Sequence, residues 1–532
     1  MTGYLQKYQK AILLSLLALI SAGAGWYIAA CTQYAPWGFS DSAAYLSAAR
    51  NFATGRGLGI LNPDGSFAPL LIFAPFYSFV LSLFAFLKAD LITTVRTMDI
   101  AFFAILIAAS GWLFYLITRS FWGSLCFAIM ITTTPALGNI FTSIMSEPLA
   151  IVLGIPGFLL LVYALRQNST RWLVISAVLA ALALLTRYAF AAFPAAGVIC
   201  VLLLSNQRPS KRIRDTLKYG VISFTPMLVW IALQLLSKNS IGARTYSTDF
   251  SITEKFSQFI AQVFAVLKYW LPYRSDMIPG VTADIFRPIL LVLFAVIILL
   301  GLFFGFKKYN SPEHKLNGLL SISSSFLIVI YLLVLFVTYM VSTETISIDD
   351  RMLSPVIPIF YTLILSCALT MGQAIHPKIS FQFVAVIVAL FFVAYNFQPF
   401  KTYPIVIGNI PNGYTSPVWK ENPILNGEIT LPQDRPLITN APDILLFYTN
   451  RSAYTLSIDS ALNLNIGGAT SLEDMLHRQC AMLVLFDSGD TQRFEKLPGA
   501  VTSADIDALQ SRLDTLYSSS HGIILADNNC IR

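Results

Sequence analysis

The chain has 532 residues, 56% of them hydrophobic and only 12% charged, with a mean hydropathy of +0.67. No soluble globular fold can bury that much apolar surface, so the composition requires a polytopic membrane protein. The net charge of +7 needs no nucleic-acid partner, because the basic residues cluster in short stretches between apolar runs, as cytoplasmic loops do.

In chain order, Lys7 and Lys10 precede a first apolar run over residues 11–30. Just beyond it, FSDSAAYLSAARNFATGRGLG at residues 39–59 predicts a short amphipathic helix over 40–55. Asp41, Tyr45, Ala48, Ala49 and Phe52 share one face of it, and Arg50 points the opposite way. Ser40 is placed to cap its start, and Gly55 and Gly57 to end it. A carboxylate in the first turn is favoured by the helix dipole. Two readings of Asp41 stand at this point: a plain cap on an interfacial helix, or a functional acid.

Further apolar segments recur at 97–118, 124–141, 148–165, 172–186, 188–205, 219–236, 285–306, 317–341, 353–371 and 379–396. The stretch 69–87 is also long enough to span, but it contains Pro69 and Pro75. Charge decides its place. With 69–87 lying in the interface, Arg119, Arg166, Arg171, the basic run 208–218, Lys307 and Lys378 all fall on the side of Lys7 and Lys10. If it crossed, the run 208–218 would move outside, against the positive-inside rule. The expectation is about eleven transmembrane helices, with loop helices at 40–55 and 69–87 on the extracytoplasmic side.

That topology gathers a small polar set on one face. Glu147 stands before Pro148 at a helix N-terminus, where it serves either as a dipole-complementing cap or as a site residue. Arg187 and Arg351 fall on the same face, each with a structural alternative: snorkelling to headgroups for the first, pairing with Asp349 or Asp350 for the second. The loop 237–284 carries an interfacial helical pattern at 256–271. Tyr273 and Arg274 follow on a proline-bounded turn, where an arginine would meet either a substrate phosphate or ordinary lipid headgroups.

After residue 396 the chain turns polar, and 397–532 reads as a small α/β domain on the extracytoplasmic side. Strands are expected at 436–439, 481–486 and 522–525, and helices at 442–448, 471–478 and 502–516. Cys31, Cys126, Cys200 and Cys367 belong to apolar spans. Cys480 and Cys530 are the two cysteines of the external domain and are expected to pair there. No metal-binding spacing occurs.

The pattern DSAAYLSAARNFATGRGLG, then SIMSEPLA, TRYAFAAFP and DDRMLSPVIPIF, resembles the GT-C glycosyltransferases. Its nearest flavour is the branch similar to protein O-mannosyltransferases and the aminoarabinose–lipid A transferase. The resemblance covers residues 10–396, and the tail resembles the external domains that end many such chains. It implies a membrane enzyme of the cell envelope, in a bacterial inner membrane, moving a sugar from a polyprenyl phosphate to an acceptor hydroxyl on a protein, lipid or glycan. By that resemblance Asp41 matches the loop acid, Glu147 the acid of the second external loop, and Arg351 the RxLxPxxP element near the donor phosphate. Many relatives carry a second acid after the first. Ser42 stands there instead, so no cofactor is fixed and a divalent metal stays open.

The chemistry needs a base for the acceptor proton and a cation for the departing phosphate. Asp41 and Glu147 are the candidate acids, Arg351, Arg274 and Arg187 the candidate phosphate partners, and Tyr45 and Tyr273 candidate pocket residues. A membrane transporter and a non-catalytic scaffold or sensor are the competing classes. The first would be expected to show half-repeats and mid-span charges, which the sequence lacks.

Overall fold

The structure, a computed structural model, describes residues 2–236, 251–270, 283–309, 315–342, 347–375, 381–409, 413–459, 463–466, 472–486, 511–519 and 522–530. The first apolar run forms α1 (Thr2–Cys31), followed by α2 (Ser40–Ala53), a hairpin of β1 (Gly59–Leu61) and β2 (Phe67–Pro69), and α3 (Phe76–Phe86). Then come α4 (Leu91–Thr118), α5 (Phe121–Thr132), α6 (Pro135–Ile140), α7 (Glu147–Gln167), α8 (Thr170–Thr186), α9 (Ala192–Leu204) and α10 (Pro209–Leu236). The membrane part continues with α11 (Ile252–Trp270), α12 (Ala283–Tyr309), α13 (Lys315–Val341), α14 (Asp350–Leu353), α15 (Val356–Ile375) and α16 (Phe381–Asn409). By length and composition α1, α4, α7, α10, α13 and α16 can each cross a membrane, and α3, α5, α8, α9, α12 and α15 add shorter apolar stretches. The chain is an integral membrane protein, and among the described residues each of the eleven apolar runs is carried by one or more of these helices.

Three local features depart from the sequence expectation. Residues 69–87 form no single helix. Pro69 closes β2, Pro75 precedes the first turn, and α3 keeps 11 residues, about 16 Å of length against a hydrocarbon core of about 30 Å. The run 124–141 is likewise broken. Thr134 adopts an extended conformation before Pro135, since the residue preceding a proline avoids the helical region. Thirdly, α16 continues to Asn409, through Pro399 and Pro404, past the boundary at 396. Hydropathy falls there before the helix does.

The helix ends alternate between two sides of the bundle. The end of α1, the start of α7 and the end of α8 meet: Trp37 bridges Ser143, and Arg187 reaches Glu147. The turn at 167–170 lies at the opposite ends of α7 and α8, and the turns at Arg119 and 205–208 lie beside it, through Arg166 to the Ile117 carbonyl oxygen and Gln207 to the Asn168 carbonyl oxygen. Small residues permit close helix contacts. A Cβ at Gly154 would lie 2.7 Å from the Phe190 ring, and one at Gly197 would lie 2.3 Å from Tyr219. Side-chain packing of this kind, rather than apolar burial, drives helix association in lipid.

From residue 413 onward the chain builds a mixed six-stranded sheet in the order β5-β4-β3-β6-β8-β7. Its strands are β3 (Leu437–Thr439), β4 (Tyr454–Asp459), β5 (Asn463–Ile466), β6 (Met482–Leu485), β7 (Asp514–Ser519) and β8 (Gly522–Ala526). Short helices α17 (Pro417–Lys420), α18 (Pro442–Thr449) and α19 (Leu472–His477) flank it. β3 pairs in parallel with β4 and β6, whereas β8 is antiparallel to both its neighbours. Of the helix expected over 502–516, the first nine residues lie outside the described residues, and Asp514 onward belongs to β7. Cys480 and Cys530 are bonded to each other, 50 residues apart in sequence.

This domain docks on α2. Arg50 Nη1 donates to the Phe447 carbonyl oxygen at 2.7 Å, and Asn450 Nδ2 donates to Asn51 Oδ1 at 3.3 Å. Gly38 sits against the Phe447 ring, where a Cβ would come within 3.0 Å. Ser66 in the β1–β2 turn and Ser210 at the start of α10 are both exposed and lie on opposite sides of the bundle. In intact cells an impermeant thiol reagent should therefore label only one of Ser66→Cys and Ser210→Cys. Labelling of both, or of neither, would contradict the alternation of helix ends.

Candidate functional site

The site begins with α2. Phe39, not Ser40, is its N-cap, and the Phe39 N–H donates to Ser42 Oγ at 2.9 Å. Ser42 in turn donates to the Ile144 carbonyl oxygen at 2.6 Å. Ser42 thus bolts α2 to the segment before α7. Asn51 Nδ2 ties the far end to the Gly59 carbonyl oxygen at 2.8 Å. Between these two fastenings, Asp41 and Tyr45 look into a cavity.

Glu147 opens α7 and is fully buried. It accepts from Arg187 Nη1 at 2.8 Å and from Arg351 Nε at 3.1 Å, both on Oε1. Arg351 then reaches across to Asp41, with Nη2 2.6 Å from Oδ2. Two acids and two guanidiniums from α2, α7, the end of α8 and α14 form one linked cluster. Pairing and hydrogen bonding are what make such charges tolerable in a poorly solvated place. Burial works against the charge on Arg351, but Glu147 and then Asp41 outweigh it and hold that guanidinium above its ordinary range. On Arg187 burial is again the largest single influence, and Glu147 together with Tyr45 and Tyr331 more than offsets it.

Several side chains hold the cluster in place. Arg187 Nη1 also donates to Ser146 Oγ at 3.2 Å, and Tyr45 Oη shares a hydrogen bond with the same Ser146 Oγ at 3.0 Å. The Tyr45 ring packs edge-on to Tyr77 at 5.0 Å and tilted against Phe73 at 4.7 Å. Burial keeps the Tyr45 hydroxyl above its ordinary range, despite the lowering effect of Arg187. Asp349 caps α14 by accepting from the Met352 N–H at 3.0 Å, and Tyr331 of α13 donates to the Met352 carbonyl oxygen at 2.7 Å. Tyr331 and Ser146 escaped the sequence reading. The only signal of Tyr331 was a hydroxyl within an apolar run.

The cavity holds about 450 Å³, within the range of small-molecule sites. Asp41, Tyr45, Arg187 and Arg351 give it a polar end, while Ile72, Phe73, Ile231 and Leu335 give it an apolar wall. Glu147 does not line it. Tyr273 and Arg274 lie outside the described residues. Among the described residues no group of three His, Cys, Asp or Glu side chains converges. Asp41 and Glu147 are already paired with arginine, so this donor set does not suit a divalent cation.

Glu147→Ala would leave Arg187 and Arg351, both partly buried, side by side without their shared counter-charge. It should cost about 3–5 kcal/mol, read as a fall in the thermal midpoint of the purified protein, with Glu147→Gln intermediate.

No protein-family model matches the sequence, and no curated protein matches it. Solved structures do. The apo form of ArnT from Cupriavidus metallidurans superposes with a TM-score of 0.55 at 12% identity, covering 99% of this chain and 98% of that one. The same protein bound to undecaprenyl phosphate gives 0.54 at 12% identity, with 97% of each chain covered. The oligosaccharyltransferase of Archaeoglobus fulgidus gives 0.48 at 12% identity, and this chain spans 64% of its length. At such identity the likeness is one of architecture, and it extends over nearly the whole molecule: the chain shares the fold of ArnT, a polytopic membrane part with a C-terminal domain.

Proposed function

We propose that the protein is a glycosyltransferase that moves a sugar from a polyprenyl-phosphate carrier to an acceptor hydroxyl, at the extracytoplasmic face of a bacterial inner membrane. The observation that carries this reading is the meeting of Asp41 and Arg351 at the polar end of a cavity with an apolar wall. A lipid-linked sugar needs that combination: a wall for the isoprenoid, a cation for the phosphate and a carboxylate for the acceptor. The ArnT structure with undecaprenyl phosphate supports a lipid phosphate as the donor's head. Orientation is inferred from the basic residues Arg119, Arg166, Arg171 and those of 208–218, which lie at the helix ends opposite the site.

In this reading Asp41 takes the proton of the acceptor hydroxyl as its oxygen attacks the anomeric carbon. The bond from that carbon to the phosphate oxygen breaks, and its electron pair leaves with the lipid phosphate. Arg351, with Arg187 behind it, stabilises the charge gathering on that leaving group. Attack opposite the phosphate inverts the anomeric centre. Glu147 touches neither substrate and positions both arginines. Tyr45 shapes the floor of the pocket. A rigid frame on helix ends holds both reactants in one orientation, and that supplies much of the rate.

The test is transfer of a radiolabelled sugar from its lipid carrier by the reconstituted protein. Asn keeps the size of Asp at position 41 and an oxygen that accepts from Arg351, but does not take a proton at neutral pH. Asp41→Asn should lower transfer at least about a hundredfold in protein that melts normally. Arg50 is unsuitable as a control on the same helix, because it holds the C-terminal domain. Exposed Arg56 serves instead, and Arg56→Gln should leave the rate nearly intact. Full transfer by Asp41→Asn would end the assignment of the base.

A further inference from the structure

Arg351 stands between two tasks that it cannot perform together. Its Nη2 donates to Asp41 Oδ2 at 2.6 Å, and that oxygen is one of the two able to receive the acceptor's proton. The same guanidinium edge is the cation that the donor phosphate would meet. We propose that Arg351 serves these two anions in turn: the lipid phosphate draws it away from Asp41, frees the carboxylate, and so makes donor binding precede deprotonation of the acceptor. The inference rests on the proposed glycosyl transfer and adds a binding order to it.

The geometry allows the exchange at small displacement. Arg351 Nε stays on the buried Glu147 at 3.1 Å while Nη2 reaches Asp41, and both Arg351 and Asp41 line the cavity. The guanidinium can therefore keep one carboxylate and trade the other for phosphate. Its backbone is fixed, because Asp349 caps the turn, Tyr331 holds the Met352 carbonyl oxygen, and Ser354 Oγ donates to the Arg351 carbonyl oxygen at 2.8 Å. Arg187 has no such freedom. It is held by Glu147 and Ser146, and its side chain is 17% exposed against 34% for Arg351. Asp41 is equally fixed on α2, so only the Arg351 side chain has to move. An acceptor arriving before the donor would find the carboxylate engaged and no cation for a leaving group.

Two ligands that compete for one group weaken each other reciprocally. The test is the affinity of purified full-length protein for a polyprenyl monophosphate without sugar, in nanodiscs. Asp41→Asn should bind this lipid at least about fivefold more tightly than the parent, even though the same change abolishes transfer. In an Arg351→Gln background the gain should disappear, because it passes through Arg351. If the gain persists there, simple repulsion between Asp41 and phosphate explains it, and the exchange is wrong. Unchanged or weaker binding by Asp41→Asn overturns the exchange but leaves Asp41 as the base. If the parent binds no lipid phosphate, the donor reading itself falls, and the exchange with it. Asp41→Ser answers the same question should the Asn variant purify poorly.

Discussion

The fully buried carboxylate of Glu147 sets the geometry on which the site depends. In lipid the apolar face of one helix gains nothing by leaving the tails for another helix, so specific polar contacts and close packing must fix the arrangement. Glu147 does this at the start of α7 by accepting from two arginines on a single oxygen. Each arginine arrives from a different part of the chain, and each brings its own hydrogen bonds to Ser146 or Asp41. The ends of α2, α7, α8 and α14 are thereby held at one point. Removing one partner strands the others, and this interdependence makes such a cluster more decisive for geometry than for net stability.

The irregular backbone near this point is reconciled with its surroundings by the same economy of polar contacts. Unpaired backbone groups are costly in a membrane. The segment between α6 and α7 is paired by the Trp37 and Ile144 backbone groups and by Ser42. The strand-to-helix stretch before α3 is held by Tyr188, whose hydroxyl donates to the carbonyl oxygens of Leu71 and Phe73 at 3.3 Å. These contacts make the cavity wall part of a rigid frame. Arg351 both lines this cavity and is rooted in a fixed turn.

The C-terminal domain is coupled to this frame through α2. Arg50 and Asn51 face α18 while Asp41 and Tyr45, on the other side of the same helix, face the cavity. A helix of 14 residues thus carries the candidate base on one face and the domain contact on the other. Movement of the domain would be felt at Asp41 directly. This explains why a helix too short to span is nonetheless largely buried: it is sandwiched, with Ala43, Ala48 and Ala49 at 0% exposure.

The sequence by itself determined the membrane class and the apolar runs, and it put Asp41, Glu147, Arg187 and Arg351 at or beside helix ends. Those features depend on local composition and on charge asymmetry, which are written residue by residue. Only the tertiary structure decided the pairings. Arg351 lies 204 residues from Glu147 and 310 from Asp41, and its aspartate neighbours at 349 and 350 looked like equally good partners until Asp349 proved to be the cap of α14. The edge strands β5 and β7 were hidden for a related reason: edges face solvent and carry polar residues, so no alternation of apolar side chains announces them. Breaks at Thr134 and Pro75 followed local proline rules, but the use to which the chain puts those breaks, as walls around a shared arginine, exists only once distant helix ends have met.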